Sequence, residues 1–169
     1  MEPASLARDE TLDTLLDRYG GMILRLAFSC LKNQADAEDV LQDVFLKLIE
    51  RRPSFESEEH RKAWLIRVTI NLCRNRLRSP WNRHRDLEEV TLSAEEPDWQ
   101  EGSEVLDAVL ALPEKYREVI HLFYYEDCSV AEIARLLHKK EPTVRSLLFR
   151  ARAILKKTLK GAVDLEEEL

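Results

Sequence analysis

The sequence predicts an all-α chain of two small helical domains joined by a flexible acidic linker, and three observations carry that reading. Apolar residues recur at helical spacing, with almost no period-two alternation. Only four glycines punctuate the 169 residues. Residues 79–103, which include Pro80, Pro97 and Gly102, lose the helical period and read as a connection between modules. The division that follows is a front domain over 1–85, a linker over 86–103, a rear domain over 104–163 and an acidic tail over 164–169. A hydrophobic content of 44% is enough to fill two compact cores.

Residues 11–31 form the first helical stripe through Leu12, Leu15, Leu16, Tyr19, Ile23, Leu26 and Ala27, with Gly20-Gly21 as a point of bending or a break. A second helix runs from about Asp36 to Arg51 and buries Val40, Leu41, Val44 and Leu48. Asp39, Gln42, Asp43 and Leu46 share another of its faces, where a leucine among acids and an amide hints at an interface, although single exposed leucines are common. The third helix, about His60 to Ser79, places Ala63, Ile66, Ile70, Cys73 and Leu77 on one side. On the other stand Trp64, Arg67, Asn71, Arg74, Asn75 and Arg78. Aromatic, guanidinium and carboxamide groups interleaved in this way suit unstacked bases. The alternative is a core tryptophan flanked by solvated arginines.

Residues 129–152 read as two helices around a tight basic turn, the pattern of a DNA-binding helix-turn-helix. Val130, Ile133, Ala134 and Leu137 form the stripe of the first, Ser129 can cap it, and Glu132 stands where a capping box needs it. The second helix takes Pro142 as its first residue and buries Val144, Leu147, Leu148, Ala151 and Leu155. Thr143, Arg145, Ser146, Phe149, Arg150 and Arg152 are left for other faces, and hydroxyl and guanidinium groups near a helix start match base edges and phosphates.

Net charge is −6, which argues against a general nucleic-acid coat. Its distribution is uneven. Residues 129–160 carry nine Lys or Arg against Glu132 and Glu141, and residues 60–85 carry eight basic residues with no acid. Residues 86–104 hold eight acids and no base. Each basic block is a candidate phosphate contact, with a merely solvated face as the alternative. Cys30, Cys73 and Cys128 form no Cys-x-x-Cys pair, and His60, His84, His121 and His138 form no ligand set, so neither a metal nor a cofactor is expected. No nucleophile-and-base pair or phosphate-cradling loop suggests an enzyme. No apolar run approaches the roughly eighteen residues of a membrane span, and no signal sequence is evident; the expected compartment is the cytoplasm.

Three passages resemble one family. Asp36-Ala-Glu-Asp-Val-Leu-Gln-Asp-Val-Phe and Ala63-Trp-Leu-Ile-Arg-Val-Thr-Ile-Asn-Leu resemble region two of bacterial sigma factors of the extracytoplasmic-function (ECF) group, within the sigma-70 family. Ala111-Leu-Pro-Glu-Lys-Tyr-Arg-Glu-Val with the helix-turn-helix resembles its region four. The resemblance implies a non-catalytic subunit that joins core RNA polymerase and directs promoter-specific initiation. Asp39, Gln42, Asp43, Phe45 and Leu46 would meet the clamp helices of the largest subunit, and the flap would be a further contact. Trp64, Arg67, Asn71, Arg74 and Asn75, with Arg78 on the same face, would meet the minus-ten element and its opened strand. Thr143, Arg145, Ser146, Phe149 and Arg150 would enter the major groove of the minus-thirty-five element, with Lys139 and Lys140 near its phosphates. An anti-sigma partner is also implied, and the linker would run near the RNA exit path. Two positions depart from the family pattern. His138 stands where glycine is usual, which asks a non-glycine residue to adopt positive φ, and Leu147 replaces a frequent basic residue. Two other readings stay open: a helix-turn-helix regulator acting without polymerase, and a sigma-like adaptor or inhibitor that has lost DNA binding.

Overall fold

The computed structural model describes residues 11–79 and 104–159, and every regular element among them is helical. The linker over 86–103 and the tail over 164–169 lie outside the described residues. The chain divides into two units, Met1–Asp98 and Trp99–Leu169.

In the first unit, side-chain caps set the start of each helix. Thr11 accepts from the Thr14 N–H and opens α1 (Leu12–Leu31), which Lys32 ends in the left-handed region at φ 55°. One residue later Asn33 accepts from the Asp36 N–H and opens α2 (Gln34–Arg51). So short a connection turns α2 back onto α1. Ser57 accepts from the His60 N–H and opens α3 (Glu58–Arg78), which packs on both. The shared core is Ile23, Leu26 and Ala27 of α1, Ala37, Val40 and Val44 of α2, and Leu65, Ile66, Ile70 and Cys73 of α3, closed by Phe55 from the preceding connection.

Several expectations are corrected here. No break occurs at Gly20-Gly21: α1 runs through both, and buried Gly20 lies so close to Leu16 that an added methyl group would stand 3.0 Å from its Cδ1. The propensity deficit of glycine, about 1 kcal/mol each, yields to packing against two helices. Leu12 and Leu16 continue the apolar period but are 47% and 44% exposed, so in the first two turns the stripe buries only Leu15. Leu41, Leu48, Ala63 and Leu77 are half-buried rather than central. Leu65 and Thr69 are buried instead, the latter because its hydroxyl donates to the Leu65 carbonyl at 2.6 Å.

The second unit contains α4 (Glu104–Leu110), α5 (Glu114–Ile120), a π-helical turn (His121–Tyr125), α6 (Val130–Leu137) and α7 (Glu141–Leu159). The last helix packs on α4, α5 and α6. Its buried Val144, Leu148, Ala151 and Leu155 join Leu106, Val109, Val119, Ile120, Leu122, Ile133 and Leu137 in one core. Arg117 is buried with them, and its guanidinium ties the α4–α5 corner by donating to the Leu112 carbonyl. The π turn inserts a residue into the helical register, which carries the chain from α5 toward the start of α6. It is closed by buried His121, whose Nε2 lies 2.8 Å from Glu126 Oε2 and whose ring stacks on Tyr125 at 5.2 Å. Burial raises the Tyr125 hydroxyl above its ordinary pKa.

Candidate nucleic-acid interface

The helix-turn-helix is built from its caps outward. Ser129 accepts from the Glu132 N–H while Glu132 accepts from the Ser129 N–H, a complete capping box. At the other end His138 adopts φ 56° and ψ 45°, and the next amide, Lys139 N–H, returns to the Ala134 carbonyl at 2.9 Å. The positive φ expected from the missing glycine is therefore present, and histidine tolerates it better than a branched residue would. The second helix of the motif, α7, begins at Glu141, so Pro142 is its second residue rather than its first. Its absent N–H is still harmless, because amides in the first turn have no intrahelical acceptor.

Behind the buried stripe of α7, Thr143, Arg145, Ser146, Phe149 and Arg150 are all exposed. Lys140 is exposed and Lys139 half-buried in the turn. Arg145 pairs with Glu141 at 3.3 Å, but both side chains are about half exposed, and such an i,i+4 surface pair holds a guanidinium only weakly. Phe149 is 72% exposed, an unusual position for a large aromatic unless a partner covers it. Leu147, expected in the buried stripe, is only half-buried, because it lies at the edge of the packed face beside Leu148 rather than at its centre.

The front unit is less generous with its charge. Of the six basic residues in its block that the structure describes, Arg61 is buried at 2% exposure. It pairs with Glu58 at 3.4 Å, and its guanidinium lies over the Tyr19 and Phe55 rings at 6.0 and 5.7 Å. Arg76 spans α3 to α2, reaching Asp36 at 3.1 Å and Asp39 at 3.3 Å. The reading of that block as one phosphate footprint is therefore too broad. Arg67, Asn71, Asn75 and Arg78 are exposed on α3, and Arg74 is half-buried. Trp64 is half-buried with its ring 5.7 Å from Phe55, so it combines a core contact with a partly open face. The Tyr19 hydroxyl donates to Glu58, and that hydrogen bond, aided by Arg61 and Arg18, holds the Glu58 carboxyl below its ordinary pKa.

On α2, Asp39, Gln42 and Leu46 are exposed, while Asp43 and Phe45 are half-buried. Ile49, absent from the sequence reading, is 43% exposed beside Leu46 at 53%, an i,i+3 apolar pair that the spacing alone could have revealed. Asp39 serves twice, since it presents a carboxylate outward and also anchors Arg76. No group of three His, Cys, Asp or Glu side chains suited to a metal occurs among the described residues, nor does any helix there have the length and apolarity to cross a membrane.

Comparison with known proteins fits this geometry. Residues 15–83 match the family described as Sigma-70 region 2, and residues 103–155 match Sigma-70, region 4. The ECF RNA polymerase sigma factor SigM of Mycobacterium tuberculosis is 32% identical over 149 residues, covering 87% of this chain and 76% of that protein. RNA polymerase sigma factor SigV of Bacillus subtilis is 29% identical over 135 residues, covering 78% of this chain and 81% of that protein. Among solved structures, the sigma factor RpoE of Bartonella quintana, in complex with the anti-sigma factor NepR, superposes with a TM-score of 0.71 at 26% identity, covering 88% of this chain and 96% of that one. The chain belongs to the ECF RNA polymerase sigma factors of the sigma-70 family.

Proposed function

We propose that this sigma factor grips core RNA polymerase through the α2 face of Asp39, Gln42, Asp43, Phe45 and Leu46 and reads its promoter with two separate surfaces. The observation that carries the reading is the exposed row Thr143, Arg145, Ser146, Phe149 and Arg150 on α7, a helix whose buried stripe Val144, Leu148, Ala151 and Leu155 packs against α4, α5 and α6. These side chains enter the major groove of the minus-thirty-five element, with Lys139 and Lys140 against phosphates. Trp64, Arg67, Asn71, Arg74, Asn75 and Arg78 meet the minus-ten element, where stacking on an aromatic ring and hydrogen bonds to base edges favour the opened strand. The chain works in the cytoplasm by binding energy alone, without turning over a substrate. Attachment to polymerase raises the effective concentration of both surfaces on DNA, which a chain of net charge −6 needs. By analogy with the RpoE–NepR complex, an anti-sigma protein covers these surfaces when the factor is held inactive.

Run-off transcription with core polymerase, with and without the chain, on a genomic library followed by sequencing of start sites tests the proposal. New start sites sharing two upstream elements are expected. A chain that fails to join core polymerase, or joins it without altering initiation on any template, refutes it.

A further inference from the structure

Arg152 belongs to the basic block of the rear unit, and helical phase sets it two turns from Arg145 on nearly the same line. Its position in the sequence therefore suggests another phosphate contact. The side chain is engaged elsewhere. Nε donates to the Tyr124 hydroxyl at 2.9 Å, and the guanidinium carbon lies 5.5 Å from the Phe123 ring centre and 5.8 Å from that of Tyr124. The two rings meet edge to face at 5.0 Å, which makes them one unit, and both belong to the π turn His121–Tyr125. That turn is itself closed by the buried His121–Glu126 contact, so the aromatic pair stands on a fixed base.

We propose that Arg152 is a positioning residue for promoter recognition: it clamps α7 onto the π turn through Tyr124 and Phe123, and fixes the angle at which Arg145, Phe149 and Arg150 meet DNA. The assignment rests on the promoter-binding reading above. A planar guanidinium can donate along its plane to a hydroxyl while its face lies over an aromatic ring; an ammonium of equal charge cannot do both. The clamp thus depends on shape, whereas a phosphate contact depends on charge.

That contrast sets the test. Holoenzyme is assembled from core polymerase with wild-type chain or with Arg152→Lys, Arg152→Gln or Tyr124→Phe. Binding is measured over a range of salt to promoter DNA with an intact or a randomised minus-thirty-five element. Loss of the guanidinium–hydroxyl hydrogen bond, common to all three variants, is expected to lower affinity for the intact element about fivefold, in the charge-conserving lysine as well. Affinity for the randomised element and the salt dependence should stay at wild-type values. The proposal is overturned if Arg152→Lys behaves as wild type while Arg152→Gln reduces the salt slope by about 0.9, the signature of one lost phosphate contact. It is equally overturned if Tyr124→Phe, a change too small to threaten folding, leaves the preference for the intact element untouched. Absence of any such preference in the wild-type holoenzyme would instead remove the promoter reading itself.

Discussion

Helices α3 and α7 are both long and rich in arginine, yet they use their charge differently. α3 buries Arg61 among Tyr19, Phe55 and Glu58 and commits Arg76 to two aspartates of α2. α7 keeps Arg145 58% exposed and Phe149 72% exposed, and holds only Arg152 inward. The difference teaches that a block of basic residues in a sequence is an upper bound on its footprint. Cations with built partners must be removed before the remainder is read as a nucleic-acid surface, because desolvating a paired guanidinium to bind phosphate first breaks the pair.

The sharpest way to break this comparison is to remove charge from the helix held to be free. Arg145→Ala combined with Arg150→Ala is expected to weaken promoter binding by the polymerase complex about 100-fold, since each contact to a base edge or phosphate contributes on the order of 1–3 kcal/mol. Association with core polymerase and the melting temperature should stay unchanged, as both positions are exposed and outside the core. Competition binding with labelled promoter DNA, alongside a pull-down of core polymerase, separates the two readouts. Retained promoter binding would show that this row does not read the promoter, and a polymerase complex that binds no promoter even with the wild-type chain would favour the adaptor reading, in which the helical scaffold persists without DNA recognition.

The complementary change removes charge from the helix that consumes it. Arg61→Ala should destabilise the front unit by about 2 kcal/mol, through lost packing of its stem and rings as much as through lost charge. Surviving folded protein should still bind promoter at wild-type salt dependence. The neighbouring Tyr19–Glu58 contact adds a pH signature. Glu58 has a lowered pKa, chiefly because Tyr19 donates to its carboxylate, so its contribution is present above about pH 4.5 and is lost as pH falls through the lowered value. Tyr19 has a raised pKa, chiefly from burial, so the native state holds that proton more tightly and stability declines as pH rises beyond 10.0. Tyr19→Phe removes the tyrosine ionisation and the chief cause of the Glu58 shift, leaving the smaller effects of Arg61 and Arg18. Chemical denaturation across pH should show the gap between wild type and Tyr19→Phe widest at neutral pH and narrowing toward either extreme; a constant gap would sink the account.

These contrasts also mark what the sequence could disclose. Periodicity and cap chemistry are local, so the three front helices and the Ser129–Glu132 box are legible from neighbouring residues alone, whereas the left-handed His138 is foreseen only through the family resemblance. The exposed row on α7 is legible for the same reason, as its buried complement Val144, Leu148, Ala151 and Leu155 keeps helical phase. Features set by distant partners are not legible. Nothing within α3 reveals that Arg61 will meet Tyr19 across the fold, or that Arg76 will find Asp36 forty residues upstream. Leu12 and Leu16 follow the stripe faithfully, yet period specifies a face and not whether a neighbour covers it. The π turn is hidden for a further reason: its single inserted residue preserves composition and breaks only register.

A smaller effect tests whether the rear unit's surface depends on its caps. Ser129→Ala leaves the Glu132 amide without its acceptor and should cost about 1 kcal/mol, read as a lower melting temperature of the rear unit. Promoter binding should change little at temperatures where that unit stays folded, because the row proposed to meet DNA lies on α7 and not on α6. A loss of binding out of proportion to stability would show instead that α6 shares the recognition work.

The smallest expected change concerns the turn between those helices. His138 sits at φ 56°, where a side chain is strained and glycine is not, but glycine also frees the unfolded chain, so the two effects partly cancel. His138→Gly should therefore stabilise the rear unit by only about 0.5 kcal/mol. Its value lies in the sign. The Lys139 amide already returns to Ala134, so the turn has its left-handed shape with histidine in place, and no gain in promoter affinity is expected from the glycine. If affinity rises together with stability, the histidine was distorting the approach of Lys139, Lys140 and α7 to DNA, and the rear surface would be less preformed than its contrast with α3 implies.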